Sequence, residues 1–256
     1  METKDFNIAP GHWILARMGK KVLRPGGKEL TEKLIAALQI SPEDDIAEFA
    51  PGLGFTAGLA LVKKPKSYVG IDADENAVKH LKKQIKGSNI SFILGNAAET
   101  TIGNQTKDKV FGEAMLTMHA DHRKSEIVKE AYRILRKGGM YGIHELGLIH
   151  TDEQLKKKIQ RNLAQSIKVN ARPLEQDEWI NLLEKEGFKV TLIKTNTMSL
   201  LEPKRIIDDE GFFRSLKIGF NILTHPKARK RILEMRKVFK KYQTNINAVV
   251  IIAEKK

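Results

Sequence analysis

The sequence predicts an α/β protein with a doubly wound, mostly parallel sheet of seven strands and a helical cap inserted before the last strand. Three observations support this prediction. Short apolar segments alternate with amphipathic ones through residues 41–150, a glycine turn follows the first apolar segment, and an acidic residue ends the second. A chain of 256 residues is long enough for one large core with an elaboration.

Residues 1–40 are predicted to form two helices that lie over the site. Ile14, Leu15, Met18 and Val22 recur at helical spacing and indicate a helix over 11–22. A Pro-Gly-Gly break at 25–27 separates it from a second helix over 29–38.

Residues 41–150 are predicted to form the core of the sheet, because strand and helix patterns alternate there without interruption. Strands are predicted at 44–49, 67–72, 90–94, 110–118 and 140–146, and helices at 55–62, 75–85 and 124–135. A repeated strand, helix and strand order is typical of parallel pairing with right-handed crossovers.

The rest of the chain completes the core and adds the cap. Residues 151–200 are predicted to hold helices at 152–167 and 175–186 and a strand at 188–193. Residues 201–245 contain many apolar positions and a long amphipathic helix, which we interpret as a cap that could cover an acceptor pocket. Residues 246–256 hold the last strand, predicted at 248–253.

Composition narrows the function classes. The chain has no cysteine, which excludes disulfides, thiolate metal sites and cysteine nucleophiles and fits a reducing compartment such as the cytoplasm. No uncharged stretch approaches the roughly 20 residues of a membrane span. The net charge of +14 could indicate a nucleic-acid partner, but lysines are spread through nearly every segment, so a nucleic-acid partner is not favoured. The basic face of the helix over 227–242 fits solvent better than a membrane or anionic partner.

The glycine turn is the strongest local signal. Gly52 and Gly54 follow the first predicted strand directly, and Asp72 ends the next strand 18 positions after Gly54. A carboxylate at that place can accept hydrogen bonds from both hydroxyls of a ribose, as in Rossmann-like folds. The alternative is a plain tight turn with Asp72 capping the following helix. The spacing Gly52-x-Gly54-x-x-Ala57 also fits NAD or FAD, so this motif alone leaves the cofactor open.

The segment 46–56 resembles the first motif of the class I methyltransferases that use S-adenosylmethionine (SAM). The resemblance implies that Glu48, Ala50, Gly52 and Gly54 lie beside the bound cofactor, with Glu48 near its methionine end. Ala50 replaces the first glycine of the usual pattern.

Three later segments resemble further motifs of the same family. Tyr68-Val69-Gly70-Ile71-Asp72 implies a ribose site at Asp72 and its neighbour Ala73, and 94–99 implies that the adenine lies near Asn96 and Ala97. The segment 133–139 resembles the motif that ends the helix before the fifth strand. Phe111-Gly112-Glu113 departs from the family's Phe-Asp-x. The nearest resemblance is to the small-molecule branch that includes quinone-biosynthesis methyltransferases.

Residues at the ends of the fourth and fifth predicted strands are the candidates for chemistry. Thr117 and His119 end the fourth strand and His144 ends the fifth, so we expect all three near the transferred methyl group, with Thr117 beside the cofactor. Some acceptors need a general base, and His119 or His144 is the candidate because imidazole titrates near neutral pH. Asp121 is expected to cap a helix.

No metal site is predicted. Asp208-Asp209-Glu210 is an acidic cluster, but three adjacent acids do not converge on an ion as ligands must. We interpret the cluster as a solvated turn.

The sequence therefore predicts a cytoplasmic SAM-dependent methyltransferase that acts on a small, partly apolar acceptor by in-line displacement. An RNA methyltransferase, a noncatalytic partner protein of the same fold and an NAD-dependent oxidoreductase are the alternatives. The segment 116–119 lacks the Asn- or Asp-Pro-Pro-aromatic motif of base-methylating families. A homodimer is left open.

Overall fold

One central sheet organises the part of the chain that the computed structural model describes, residues 5–256. The first four residues of the predicted N-terminal layer lie outside the described residues. The strands are β1 (Asp45–Phe49), β2 (Ser67–Asp72), β3 (Ile90–Leu94), β4 (Lys107–Glu113), β5 (Leu135–Leu148), β6 (Leu174–Glu175), β7 (Phe188–Thr197) and β8 (Ile246–Lys255).

The sheet has the strand order β3-β2-β1-β4-β5-β8-β7, and β6 pairs with the end of β5. Strands β1 to β5 pair in parallel, whereas β8 runs antiparallel between β5 and β7. Seven strands along the main path confirm the predicted mostly parallel sheet, and the two-residue β6 is an addition. Strand order reverses between β1 and β4, which opens a crevice at the carboxyl ends of these strands.

Helices cover both faces of the sheet. They are α1 (Gly11–Arg17), α2 (Gly27–Ala37), α3 (Phe55–Leu61), α4 (Glu75–Gln84), α5 (Asp121–Ile134), α6 (Glu153–Ile167), α7 (Gln176–Lys185), α8 (Pro203–Glu210), α9 (Phe212–Thr224) and α10 (Pro226–Lys241). Alternate side chains of β1 point to opposite faces: Ile46 packs with α2, α3 and α4, and Ala47 packs with α5 and α7. Two apolar cores therefore enclose the sheet.

The helices α8, α9 and α10 stand between β7 and β8, where the sequence predicts an inserted cap. A third apolar cluster joins this cap to the N-terminal layer: Met235 and Ile232 of α10 pack with Leu163 of α6 and Ile14 of α1. The cap and the N-terminal layer are thus held together by burial of apolar surface.

Several predicted element bounds are wrong, and one of them matters for the site. Strand β4 ends at Glu113 rather than at 118, and Leu116–Met118 form a short 3-10 helix. The chain turns there because the Glu145 carboxylate on β5 accepts the backbone N–H groups of Met115, Leu116 and Thr117. Helix α1 also ends earlier than predicted, at Arg17, before a left-handed Gly19 with φ +105°.

Candidate functional site

A cavity of about 310 Å³ opens at the carboxyl ends of the parallel strands. We call it the strand-end cavity. Residues after β1, β2 and β3 form its floor, and residues of α1 and of the segment after it form its roof. The lining includes His12, Trp13, Leu23, Arg24, Ala50, Gly52, Asp72, Ala73, Asn96, Ala97, Glu113, Ala114, Met118 and His119. Its volume is within the range of ligand pockets, roughly 300–1,000 Å³.

Asp72 and the glycine turn are bonded to each other on the floor of this cavity. Asp72 Oδ2 accepts the Gly52 N–H at 2.9 Å, and its Oδ1 accepts the Asp74 N–H at 2.9 Å. Burial raises the pKa of Asp72, and these backbone hydrogen bonds oppose the rise. Asp74, rather than Asp72, caps α4 by accepting the N–H groups of Asn76 and Ala77. The carboxylate of Asp72 is therefore not used as a helix cap.

The backbone of the turn explains two of its residues. Gly54 has φ +79°, and a Cβ built on it would lie 2.7 Å from Leu81 Cδ2, so a glycine is required there. Ala50 stands where related turns have their first glycine, and it keeps a left-handed conformation with φ 55°. The turn therefore keeps a left-handed backbone at position 50, where a non-glycine residue is strained.

Glu48 does not line the strand-end cavity, although the resemblance implies that it lies beside the cofactor. It is fully buried, and the Tyr68 hydroxyl donates a hydrogen bond of 2.5 Å to its Oε2. Burial raises the pKa of Glu48 to about 8, against the effect of the Tyr68 hydrogen bond. Glu113, at the end of the neighbouring strand β4, lines the cavity instead of Glu48.

Glu113 is the centre of a buried network. Its Oε2 accepts from Arg24 Nε at 3.1 Å and from the Thr56 hydroxyl, and its Oε1 accepts from the Thr31 hydroxyl at 2.7 Å and contacts His144 Nδ1 at 2.6 Å. Burial favours the neutral acid, but the His144 hydrogen bond and the Arg24 charge outweigh it and lower the pKa of Glu113 to about 2. The carboxylate is therefore ionised and holds Arg24 in the cavity wall.

His144 lies beneath this network and not in the site. The side chain is fully buried, and it lines neither the strand-end cavity nor the cavity described below. Its Nε2 accepts the Gly26 N–H at 3.2 Å, which places the proton on Nδ1, facing Glu113. The sequence predicts His144 near the transferred methyl group; in the structure its ring does not line the strand-end cavity and orients Glu113 instead.

Thr117 and His119 line different cavities: His119 the strand-end cavity, and Thr117 a second cavity described below. The Thr117 hydroxyl donates to Glu145 Oε2 at 2.6 Å, which fixes the turn, and its side chain lines the neighbouring cavity rather than the strand-end cavity. His119 is half-buried and lines the strand-end cavity. Because β4 ends at Glu113, before both residues, the strand does not bring Thr117 and His119 together at the edge of the sheet.

A second cavity, of about 100 Å³, adjoins the first and is almost entirely apolar. We call it the apolar cavity. Its walls come from α1, α6, α10 and the segments after α6 and β7, with Leu15, Leu146, Leu163, Ile167, Ala171, Met198, Leu200, Met235 and Phe239 among them. The two cavities share His12, Leu23, Ala114 and Met118 in their walls. A group in one cavity can therefore lie next to a group in the other.

His12 is the polar side chain of the shared wall. Its ring lies against Trp13, with 5.3 Å between the ring centroids. Burial lowers the pKa of His12, and the charge of Arg24 adds to this effect while Asp74 opposes it. Burial also lowers the pKa of His119. The lowered pKa favours the neutral form of both imidazoles, which is the form that a general base needs.

Residues 20–28, which we call the strap, carry Leu23 and Arg24 over the strand-end cavity, and α8 holds the strap in place. Lys20 Nζ lies 3.2 Å from Asp209 Oδ2, and Asp209 Oδ1 accepts the Lys28 N–H at 2.8 Å. Glu210 Oε1 accepts two N–H groups of the strap, at 2.7 and 2.8 Å. The prediction of a solvated turn is therefore wrong for Asp209 and Glu210.

Two other charged residues also differ from expectation. Asp121 does not cap α5: it lies in the first turn and pairs with Lys124 at 2.7 Å, while Ala120 is the N-cap residue. Arg231 is not on a solvated face of α10, because its buried guanidinium donates to the carbonyl groups of Asn7 and Ser166.

Within residues 5–256, no group of three or more His, Asp or Glu side chains is arranged to hold a metal ion. In the same part of the chain, no helix is long and apolar enough to cross a membrane.

The strand order with one antiparallel strand, the glycine turn and the acidic end of β2 define a Rossmann-like fold with a nucleotide site at its topological switch point. A family model described as a methyltransferase domain matches residues 46–139. An uncharacterized protein of Haemophilus influenzae is 32% identical over 250 residues, which cover 96% of this chain and 98% of that protein.

Solved structures of other proteins show the same fold. The cyclase SpnF is 12% identical with a TM-score of 0.72, covering 97% of each chain. Phosphoethanolamine N-methyltransferase 2 of Haemonchus contortus, solved in complex with SAM, is 18% identical with a TM-score of 0.72, covering 96% of this chain and 56% of that one. The chain therefore carries a methyltransferase domain over residues 46–139 and has the fold of the class I SAM-dependent methyltransferases. Its placement in the quinone-biosynthesis branch stays a prediction.

Proposed function

We propose that this enzyme transfers a methyl group to a small, partly apolar acceptor, with SAM in the strand-end cavity and the acceptor in the apolar cavity. The observation that carries the proposal is the shared wall, where His12, Leu23, Ala114 and Met118 line both cavities. Methyl transfer requires an acceptor atom in line with the bond that breaks, and holding two reactants in adjoining cavities supplies that alignment.

The residues of the strand-end cavity fit SAM. The Asp72 carboxylate is suited to the ribose hydroxyls, and Asn96 and Ala97 lie in the lining where the family resemblance implies the adenine. Arg24 has two nitrogens committed to Glu113 and Thr56, and the rest of its guanidinium can pair with the amino-acid carboxylate of SAM. When bound, SAM supplies a methyl group on a positively charged sulfur.

The apolar cavity indicates the acceptor class. An apolar cavity of roughly 150 Å³ can hold benzene, so a cavity of about 100 Å³ suits a small apolar group or one end of a larger molecule. Its polar lining residues are His12, Thr117 and Asn170, which can orient a single hydroxyl or amine. We therefore propose an acceptor with an apolar body and one polar nucleophilic atom.

We propose His12, with His119 as the second candidate, as the base for an acceptor that must lose a proton. His12 lines both cavities, and His119 lines the strand-end cavity alone. His144 is a positioning residue for Glu113 under this proposal, because both of its ring nitrogens are engaged inside the fold. We also propose a cytoplasmic location, since the absence of cysteine fits a reducing compartment.

The test is transfer of labelled methyl from SAM to a panel of small acceptors graded from apolar to polar. Ala171 lines the apolar cavity but not the strand-end cavity. The substitution Ala171→Phe should therefore fill the apolar cavity. We expect it to abolish methyl transfer while the affinity for SAM is retained. Ala36→Phe is the matched control, because Ala36 is exposed on α2. Transfer to polar acceptors only, or full activity in Ala171→Phe, would contradict the acceptor proposal.

A pH profile tests the base. We expect His12→Gln to lower kcat by about 10²-fold or more and to remove the acidic limb of the profile, in line with general-base contributions of 10²–10⁴. The same variant should lower kcat by a larger factor than it raises KM for SAM. An unaltered profile in His12→Gln, together with loss of the limb in His119→Gln, would assign the base to His119.

A further inference from the structure

Helix α9 exposes a continuous apolar face. Phe213 is 85% exposed, Phe220 67%, Leu223 64%, Phe212 60% and Leu216 57%. At 3.6 residues per turn these five side chains fall within an arc of about 100° on one side of the helix. Isolated exposed apolar residues are ordinary, but a contiguous patch of large ones marks a surface that meets an apolar partner.

The opposite side of α9 is attached firmly to the protein. Ile218 is buried against the turn after α1, and Asn221 donates to the Met18 carbonyl at 2.9 Å. Arg214 Nε lies 3.8 Å from Glu210 Oε2. The exposed face is therefore presented by a helix that is held in place.

The segment that contains α9 is strongly basic. Within residues 204–241, exposed Lys and Arg side chains outnumber exposed Asp and Glu side chains by nine to two. Lys217 lies on α9 about 40° beyond the apolar arc, and Lys227, Arg229 and Lys230 begin α10 directly after α9. A helix with Phe and Leu on one face, in a basic segment of the chain, matches the composition of helices that lie in the interface of an anionic bilayer.

We propose that α9 docks the enzyme on the surface of an anionic phospholipid bilayer. The Phe and Leu side chains enter the boundary between headgroups and acyl chains, and the surrounding Lys and Arg side chains contact the anionic headgroups. A second copy of this chain fits the patch less well, because the basic residues around one patch would face those of the other.

The docking face adjoins the proposed acceptor site. The turn at Met18 and Gly19 contacts α9, and the helix before that turn, α1, contributes Leu15 and His12 to the apolar cavity. Docking through α9 would therefore bring the wall of the apolar cavity close to the bilayer, where an acceptor with an apolar body concentrates. Bilayer docking can be measured without SAM or acceptor, so its test stands apart from that of the proposed function.

The experiment is co-sedimentation of the full chain with phosphatidylcholine vesicles that contain or lack phosphatidylserine. We expect binding to the phosphatidylserine vesicles, weakened by salt, and at least an approximately tenfold loss of affinity in the double variant Phe213→Ser/Phe220→Ser. Val62→Ser is the matched control, because Val62 is 75% exposed at the end of α3, outside the patch. Lys217→Glu/Lys230→Glu should also weaken binding.

Circular dichroism establishes that each variant is folded before its vesicle binding is compared with that of the wild type. The proposal is overturned if the folded wild type does not bind phosphatidylserine vesicles, or if the folded Phe213→Ser/Phe220→Ser variant binds as tightly as Val62→Ser. Light scattering that shows twice the chain mass of 28.9 kDa for the wild type and a single chain for the double variant would overturn it in favour of a homodimer through α9.

Discussion

Replacing Asp209 with alanine should destabilise the fold far more than its place in an acidic run implies. The side chains of Lys20 and Asp209 are each 1% exposed, and their charged atoms lie 3.2 Å apart. Removing one partner of such a pair leaves a buried charge uncompensated, which costs about 3–5 kcal/mol. Glu210 remains 3.8 Å from Lys20, so we expect the lower end, about 3 kcal/mol, in the free energy of unfolding.

Urea unfolding followed by circular dichroism measures this change. For a chain of this size a loss of about 3 kcal/mol corresponds to a fall in Tm of roughly 6–12 °C. Asp208→Ala is the matched control, because Asp208 is exposed on the same helix, and we expect it to change stability by no more than about 0.5 kcal/mol. A free energy of unfolding for Asp209→Ala within about 1 kcal/mol of Asp208→Ala would refute the argument.

Three more substitutions test the site. Glu113→Gln should lower the free energy of unfolding by about 3 kcal/mol at pH 7, because it leaves Arg24 buried without its charged partner. The pKa of Glu113 in the folded protein, about 2, lies below the ordinary 4.5. The wild type should therefore lose this stabilisation as the pH falls from 4.5 towards 2, and the variant should not. The pKa shift of Glu48 has the opposite sign, because its pKa in the folded protein, about 8, lies above 4.5. Its contribution to stability is therefore present below pH 4.5 and lost as the pH rises to 8. Urea unfolding of Glu48→Gln should show a smaller loss of stability than the wild type over that range. Gly54→Ala should destabilise by about 1–3 kcal/mol through its left-handed backbone and close contact, whereas Gly58→Ala, with open space on α3, should stabilise by about 0.5–1 kcal/mol in thermal unfolding. Equal effects at the two glycines, or parallel pH profiles for either Glu variant and the wild type, would contradict these assignments.

The sheet and the glycine turn could be predicted from the sequence because their signals are local. Alternation of strand and helix patterns indicates parallel pairing over consecutive segments. The turn is also local: Gly52 and Gly54 supply backbone conformations and close approaches that few other residues allow. Asp72 lies at the end of its strand, so its position follows from the strand itself.

The network around Glu113 could not be predicted in this way. Arg24, Thr31, Thr56 and His144 reach this carboxylate from four separate segments, and no periodicity in the sequence relates them. The departure of Phe111-Gly112-Glu113 from the family pattern was the available signal, because it places an acid at the strand end.

Long-range pairing also explains the wrong interpretation of the acidic cluster. Lys20 and Asp209 are 189 positions apart, and a run of charges without a visible partner is read as solvated. The error in β4 has a similar origin, since the Glu145 carboxylate that turns the chain at Met115 lies on a different strand. Side chains that act on distant backbone are not visible in local patterns.

Calorimetric titration with SAM, S-adenosylhomocysteine and NAD tests the central claim most directly, that the strand-end cavity is the SAM site. The proteins are the wild type, Asp72→Ala and, as matched control, Asp152→Ala, which removes an Asp that caps α6 outside the cavity. We expect micromolar SAM binding, weaker by about tenfold or more in Asp72→Ala and unchanged in Asp152→Ala. Tight NAD binding, no SAM binding, or equal SAM affinity in folded Asp72→Ala would contradict the claim.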